Sequence, residues 1–412
     1  MTATLTRWPA RACLRTVPES ATDLTRVVVD VPEEILTDLR DRLRRRRLPG
    51  SPPGTGWRYG TDPTVLDELL DRWAEEYDWR AAEAAMNRWE HVVTEIAGVG
   101  VHALVARSPH PGARPLVLTH GWPWTFWDYR DLLGPLTHPV AFGGDVADAF
   151  EVVVPSLPGF GFSADPPPGT SWVDTAALWV ELMHRLGHGR FLAAGGDFGA
   201  AVTSQLGHAH AEHVQGVHLF GGFPLEAWNN ERPWDMFGPV PRELPDELRA
   251  AVLAWQARFA AHIAVQTLDP QSLGIGLADS PAGLAGWLLE RRRAWSDCGG
   301  KVFASFTPDD LLTGFTLYWA TGTITSSMRF YYEAARCDWR PAHPGPRMVD
   351  VPTGLSLFPA DRHPVARGPQ WREAYYRLVN LAEHEVGGHF APAEEPGLVL
   401  ADLRRTFREV PR

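Results

Sequence analysis

Five consecutive residues, Gly195-Gly196-Asp197-Phe198-Gly199, have the shape G-x-Nu-x-G with an aspartate at the centre. The glycines permit a tight turn that leaves the central side chain exposed. A carboxylate there is already ionised near neutral pH, so it can attack an electrophilic carbon without help from a base. The plainer alternative is a glycine-rich turn with an aspartate helix cap, and the pentapeptide alone divides the two evenly. Three further segments shift the balance. His120-Gly121-Trp122-Pro123 follows the apolar run Leu116–Thr119, where a loop can aim backbone N–H groups at an anion. Asp361 ends the segment Phe358-Pro359-Ala360-Asp361, and His389 sits in Gly387-Gly388-His389-Phe390. Nucleophile, acid and histidine thus follow one another in chain order. A lone aspartate or histidine is usually structural; the ordered set, each member after an expected strand, is much harder to obtain by chance.

Such a set must be positioned, and the periodicity says how. His91–Ile96, Val101–Ala106, Leu116–Thr119, Glu151–Val154, Phe191–Ala194 and Val214–Phe220 read as strands, with helices over 172–186 and 199–210. Leu116–Thr119 and Glu151–Val154 are short apolar runs, as strands covered on both faces require. This alternation predicts a mostly parallel α/β sheet, whose carboxyl edge collects ligands and catalytic groups. From about 223 to 345 helices dominate: 246–264, 281–295 and 308–336. Met348–Leu357 then resumes the sheet, with a helix at 370–378, a strand at 379–384 and a last helix at 395–408. Ahead of the sheet lie an unstructured tail over 1–25, a short strand at 26–30, and helices beginning at 31–34, 62 and 79.

Other constellations carry less. In His384-Glu385-Val386-Gly387-Gly388-His389 the histidines are five apart and two glycines break any helix, so a zinc site is not expected. His208, His210 and His213 read as a polar helix end. Gly159-Phe160-Gly161 runs into prolines rather than a helix, so no nicotinamide or flavin is implied. The 412 residues are 44% hydrophobic and 22% charged, which excludes a disordered chain. A net charge of −11 disfavours nucleic-acid or anionic-membrane binding. Three cysteines without C-x-x-C spacing fit a reducing, cytoplasmic setting, and no apolar run is long enough to span a membrane. Most of the 18 tryptophans read as core, a few as pocket lining.

The chain resembles the epoxide hydrolases of the microsomal type and their bacterial relatives. The resemblance spans nearly the whole chain. It runs through Gly56-Trp57-Arg58-Tyr59-Gly60-Thr61-Asp62, Tyr77-Asp78-Trp79-Arg80, His120-Gly121-Trp122-Pro123, Pro155-Ser156-Leu157-Pro158-Gly159-Phe160-Gly161-Phe162-Ser163, the Asp197 pentapeptide, Asp279-Ser280-Pro281-Ala282-Gly283-Leu284, Thr323–Tyr331, Val351-Pro352-Thr353-Gly354 and the His389 segment. It implies an α/β-hydrolase fold with a helical cap inserted late in the sheet and an N-terminal helical extension. The expected divisions are 1–90 for the extension, 91–222 and 346–412 for the core, and 223–345 for the cap. It implies Asp197 as nucleophile, Asp361 as charge-relay acid and His389 as general base. Backbone N–H groups of Trp122 and Phe198 would form the oxyanion hole, and Tyr331 would be one of two cap tyrosines on the epoxide oxygen.

Counting back from Asp279-Ser280-Pro281 puts the second cap tyrosine at His262, a departure from the family pattern. Either His262 is the second proton donor or it packs in the cap wall, leaving Tyr331 to work with another partner such as Tyr318 or Tyr332. The implied partners are a small hydrophobic epoxide and water, with no cofactor, metal, nucleic acid or membrane; homodimerisation stays open. Rival readings are another Asp-nucleophile hydrolase such as a dehalogenase, a non-hydrolytic epoxide-opening or cyclising enzyme of a biosynthetic pathway, and an inactive binding module on the same scaffold.

Overall fold

A computed structural model describes residues 9–17, 23–229, 231–365 and 369–411. Among these, ten strands form one sheet: β1 (Leu14–Thr16), β2 (Thr25–Val29), β3 (Glu90–Ile96), β4 (Val99–Ala106), β5 (Arg114–Thr119), β6 (Phe150–Pro155), β7 (Phe191–Gly196), β8 (Val214–Phe220), β9 (Val349–Leu357) and β10 (Tyr376–Glu383). Their order is β1-β2-β3-β4-β6-β5-β7-β8-β9-β10. β1 to β4 are antiparallel neighbours, and β4 meets β6 antiparallel. From β6 to β10 every pairing is parallel. Leu116–Leu118, Val152–Val154 and Leu192–Ala194 are wholly buried, which explains why these strands read as apolar runs without alternation.

The helices lie where connections between parallel strands require them. Trp172–Arg185 joins β6 to β7, beginning at a Ser171–Asp174 capping box, and Phe198–Ala209 joins β7 to β8. Between β8 and β9 the chain leaves the sheet for the helices Asp246–Leu268, Pro270–Asp279, Pro281–Trp295, Pro308–Thr321 and Ile324–Ala334. The N-terminal helices Glu33–Arg44, Pro63–Glu75 and Trp79–Met86 reach both parts. β2 adds to the sheet edge, while Trp73 Nε1 donates to Thr316 Oγ1 (2.9 Å) and Tyr77 shares a hydrogen bond with Thr313 (2.8 Å).

The structure departs from the sequence reading in four places. The helix expected over 308–336 is two helices, because Gly322 turns into the left-handed region (φ 66°) and caps the first. The described part of the 1–25 tail holds β1, paired with β2 through Leu14 and Val29. Two short helices were not expected: Arg130–Thr137, which buries Leu132, Leu133 and Leu136 on one face, and Pro270–Asp279, which has little periodicity of its own.

One buried ion pair ties the inserted helices to the core. Arg292 donates to Asp128 Oδ1 (2.7 Å) and to the Pro123 carbonyl (3.1 Å), and its guanidinium lies 4.2 Å from the Phe390 ring centroid. Asp128 also accepts the Thr125 N–H (2.8 Å), so the loop after β5 is held from both sides. Removing one partner of a buried pair strands the other charge. Arg292→Met should therefore lower the unfolding free energy by about 3–5 kcal/mol, read from urea titration with a second probe for two-state behaviour. A loss under about 1 kcal/mol would show that the pair is not a structural tie.

Candidate active site

β7 ends at Gly196, and the next residue opens a helix, so Asp197 must turn the chain sharply. It does so with φ 55° and ψ −127°, a conformation non-glycine residues rarely adopt. The flanking glycines serve a different need. Gly195, Gly196 and Gly199 do not have positive φ; a Cβ on Gly199 would lie 1.9 Å from the Thr119 carbonyl oxygen, and one on Gly195 2.5 Å from that of Gly199. They are small so that the elbow can press against the end of β5. Gly121 is excluded from carrying a side chain by Asp197 itself, whose Cβ would be 2.3 Å away.

That close approach sets the electrostatics. The Trp122 N–H donates to Asp197 Oδ1 (2.9 Å), and the Phe198 N–H also bonds the carboxylate. Burial raises the Asp197 pKa above the ordinary carboxylate value, while His389 and these two N–H groups pull against it. Asp361 and His389 arrive from the far end of the chain. His389 Nδ1 is 2.9 Å from Asp361 Oδ1, and its Nε2 is 3.6 Å from Asp197 Oδ2, too long for a direct hydrogen bond. Burial would lower the His389 pKa, but the charges of Asp361 and Asp197 outweigh it and leave the pKa raised.

The roof comes from the inserted helices. His262 is buried and lies parallel to the Trp122 indole (centroids 5.5 Å, 5° between planes). Tyr331 meets the Trp122, Phe198 and His262 rings edge-on, the last at 5.4 Å. Among the described residues, neither His262 Nδ1 nor the Tyr331 hydroxyl has a hydrogen-bond partner, and His389 Nε2 has none either. All three residues line one cavity of about 640 Å³ with Asp197. Burial, then Asp197, pushes the Tyr331 phenol well above its ordinary pKa. Burial, then the Arg291 charge, pushes His262 well below its own. The other tyrosines are engaged elsewhere: Tyr318 donates to the Trp124 carbonyl (2.9 Å), and Tyr332 packs under the Arg336 guanidinium outside the cavity lining. His208 bonds the Met348 carbonyl and the Ala342 N–H, and His384 pairs with Asp402 (2.6 Å) rather than facing His389.

Several groups had no sequence signal. Trp295 meets His262 at a tilt (54° between planes) and His389 edge-on (74°). The His389 loop is sewn to the residues after helix Pro281–Trp295: the His389 N–H donates to the Trp295 carbonyl (2.9 Å) and the Gly387 N–H to Asp297 Oδ2 (2.9 Å). Glu394 completes the seam, accepting the Phe390 N–H (2.8 Å) and the Asp297 N–H (2.7 Å). These contacts join positions about ninety residues apart in the chain, which no local pattern encodes.

Comparison with known proteins gives this geometry its class. Residues 114–272 match the family model for the alpha/beta hydrolase fold, and the chain is a hydrolase of that fold. Residues 24–129 match the model "Epoxide hydrolase N terminus". The chain is 38% identical over 391 residues to a putative epoxide hydrolase of Stigmatella aurantiaca, covering 94% of this chain and 85% of that one. It is 33% identical over 396 residues to epoxide hydrolase 1 of Oryctolagus cuniculus, covering 91% and 86%. Among solved structures, juvenile hormone epoxide hydrolase from the silkworm Bombyx mori aligns with TM-score 0.78 at 27% identity, covering 94% of each chain. The Aspergillus niger epoxide hydrolase aligns with TM-score 0.77 at 26% identity, covering 98% of each. The chain belongs to the epoxide hydrolase family. No described helix is long and apolar enough to cross a membrane.

The Glu394 seam makes a testable statement about pH. Burial, against the pull of its two N–H partners, pushes its carboxyl up to about 7. The folded state then holds the proton more tightly than the unfolded chain, where a glutamate titrates near about 4.3. This contribution to stability is present below the unfolded pKa and is lost as pH rises through about 7. The wild type should lose more thermal stability than Glu394→Gln between pH about 4 and pH about 7.5, by scanning calorimetry. Parallel losses in the two proteins would show that Glu394 does not titrate there.

Proposed function

We propose that the protein opens a small hydrophobic epoxide to a vicinal diol through an ester on Asp197. The observation that carries this reading is the set of buried, unpartnered polar atoms on Tyr331, His262 and His389 around the Asp197 carboxylate. Tyr331 and His262 on the roof suit the oxirane oxygen, and Asp197 below suits its carbon. Asp197 Oδ2 attacks the carbon; the C–O bond breaks and its electron pair goes to the ring oxygen, which stays tethered as an alkoxide. The Tyr331 O–H protonates or hydrogen-bonds that oxygen, and a neutral His262 N–H gives the second hydrogen bond. An imidazolium at His262 is disfavoured by burial and by Arg291.

Esterification removes the Asp197 charge, and with it one of the charges that raise the His389 pKa, which frees the imidazole to act as a base. His389, oriented by Asp361, then takes a proton from water, and the hydroxide adds to the ester carbonyl; collapse breaks the ester C–O bond, the diol oxygen leaves with the proton from His389, and the proton left on the Asp197 carboxyl returns to Tyr331. The oxyanion would develop at Oδ1, which accepts the Trp122 N–H, with the Phe198 N–H also on this carboxylate; these bonds support the reading of the two N–H groups as its stabilisers. Residues 223–345 act in this reading as a cap that supplies the proton donors. Attack by aspartate on an acyl group would give an anhydride, so ester hydrolysis is not the activity expected.

Two experiments test the scheme. Asp197→Ala should fold and form no diol, and a first turnover of wild type in heavy-oxygen water should give diol carrying unlabelled oxygen. His389→Gln should trap the ester, seen as substrate mass added to the intact protein, and Asp361→Asn should do so less completely. Normal diol release by His389→Gln would remove it as the base.

Tyr331→Phe should slow alkylation by about 10²–10⁴-fold and leave ester hydrolysis nearly unchanged. Alkylation by the wild type should not follow an imidazole titration between pH about 5.5 and about 8.5, since His262 is held neutral. A fall through that range that His262→Tyr abolishes would restore the imidazolium donor.

A further inference from the structure

A serine, a histidine and an aspartate lie together away from the cavity. Ser356 Oγ, on β9, donates to Asp402 Oδ2 (2.6 Å) and lies 2.9 Å from Nε2 of His218, on β8. These are the residue types of a hydrolytic triad, but His218 and Ser356 are fully buried, Asp402 is 2% exposed, and none of the three lines the cavity. What they do must therefore be done through other residues.

Their hydrogen bonds run one way. Ser356 has one proton and the carboxylate takes it, so His218 donates from Nε2 and accepts at Nδ1 from the Thr406 hydroxyl (2.8 Å). Thr406 in turn accepts Asn380 Nδ2 (3.1 Å). Burial lowers the His218 pKa to about 4, so the ring is neutral near neutral pH, as this arrangement requires. A Cβ on Gly354 would lie 2.1 Å from Thr406 Oγ1 and 2.4 Å from His218 Nδ1, so a side chain there would break the chain of bonds. Each bond polarises the next, and the last ends on Asp402.

The other donor to Asp402 is His384, through Nε2 (2.6 Å). His384 opens the loop that leads to His389. Its N–H donates to the Leu357 carbonyl (2.9 Å), and its ring stacks on Phe358 (centroids 4.9 Å, 20° between planes). Phe358 begins the turn that carries Asp361, and its carbonyl accepts the Asp361 N–H (3.2 Å). The two loops meet again where the Ala360 N–H donates to the Gly387 carbonyl (3.2 Å); a Cβ on Gly387 would lie 2.7 Å from the Phe358 ring. One imidazole, held at its edge by Asp402, thus touches the loop of the acid and belongs to the loop of the base.

We propose that Asp402 and His384 are a positioning pair: the buried carboxylate holds the imidazole, the imidazole holds Phe358, and together they set the 2.9 Å spacing between His389 Nδ1 and Asp361 Oδ1. Neither residue touches substrate. This rests on the reading of His389 as the base that hydrolyses the ester on Asp197, and in that reading the pair serves the second half-reaction and not the first.

His384→Phe keeps a ring against Phe358 and removes the donor to Asp402; His384→Gln restores an N–H at similar reach. In single turnovers of styrene oxide, read by rapid quench and intact mass, His384→Phe should form the ester within about threefold of the wild-type rate and hydrolyse it about 10- to 100-fold more slowly, the cost of a misplacement of about 1 Å. Ester formation shows that the variant is folded. His384→Gln should recover most of the loss, and Asp402→Asn, which keeps the shape of the pair with a weaker acceptor, should show the same selective slowing by a smaller factor.

The titration of His389, followed by NMR in the free enzyme, reads the spacing without turnover. Burial lowers the His389 pKa, and the charges of Asp361, Asp197 and Glu394 raise it; His262 is the other titratable ring beside it. Loosening from Asp361 should shift the titration down in His384→Phe and back up in His384→Gln, which a general loss of stability would not do. Wild-type hydrolysis and an unmoved titration in His384→Phe overturn the proposal and leave the Asp197 reading intact. Both half-reactions slowed alike, with the titration unmoved, overturn it as well. A shifted titration with no ester on Asp197 in either protein supports the pair and overturns the Asp197 reading instead.

Discussion

The Asp197 carboxylate rests against the backbone N–H groups of Trp122, on Oδ1, and Phe198, and much of the molecule is arranged so that it can. A carboxylate removed from water loses hydration that must be replaced. Here the replacement is a pair of fixed dipoles, which need the loop after β5 within hydrogen-bond reach of the loop after β7. Gly121, Gly195 and Gly199 allow that approach because a Cβ at any of them would strike backbone or Asp197 itself. The positive φ of Asp197 costs on the order of 1–3 kcal/mol, and it persists because the parallel pairing of β5 with β7 fixes both ends of the turn.

The second charge relationship, between His389 and its two carboxylates, is built differently. The charges of Asp361 and Asp197 raise the imidazole pKa and Asp361 orients its ring, and the loop that carries it has little structure of its own. It is placed by the segment that closes the inserted helix Pro281–Trp295, through the Trp295 carbonyl, Asp297 and Glu394. Arg292, on the same helix, holds the loop after β5 through Asp128 and Pro123. A single helix thus braces both halves of the site.

The roof shows how one altered residue can be accommodated. A histidine at 262 beside Tyr331 keeps a polar N–H in the cavity that Asp197 lines, and the Trp122 ring supports it by parallel stacking. Burial and Arg291 hold that imidazole uncharged, while burial and Asp197 keep the Tyr331 phenol protonated. Both effects leave neutral donors facing an anion, which limits electrostatic cost in the resting site.

Much of this was legible before any coordinates. Apolar runs such as Leu116–Leu118 and Val152–Val154 announce strands covered on both faces, because a parallel sheet packs helices on each side. The Asp197 pentapeptide and the order of Asp361 and His389 single out groups that the structure brings together, because an elbow between strand and helix needs small neighbours at fixed spacing. Short elements escaped: β1 and the helix Pro270–Asp279 are stabilised by partners distant in the chain rather than by their own periodicity. The state of His262 was undecidable from sequence, since its charge depends on how deeply it is buried and on Arg291, on another helix. The same holds for the Glu394 seam, the Arg292 tie and the contact of His384 with Asp402. Residue types and spacing determine which groups can react. Desolvation and long-range contact decide their charge and reach, because both are properties of the space around a side chain and exist only once the chain has closed on itself.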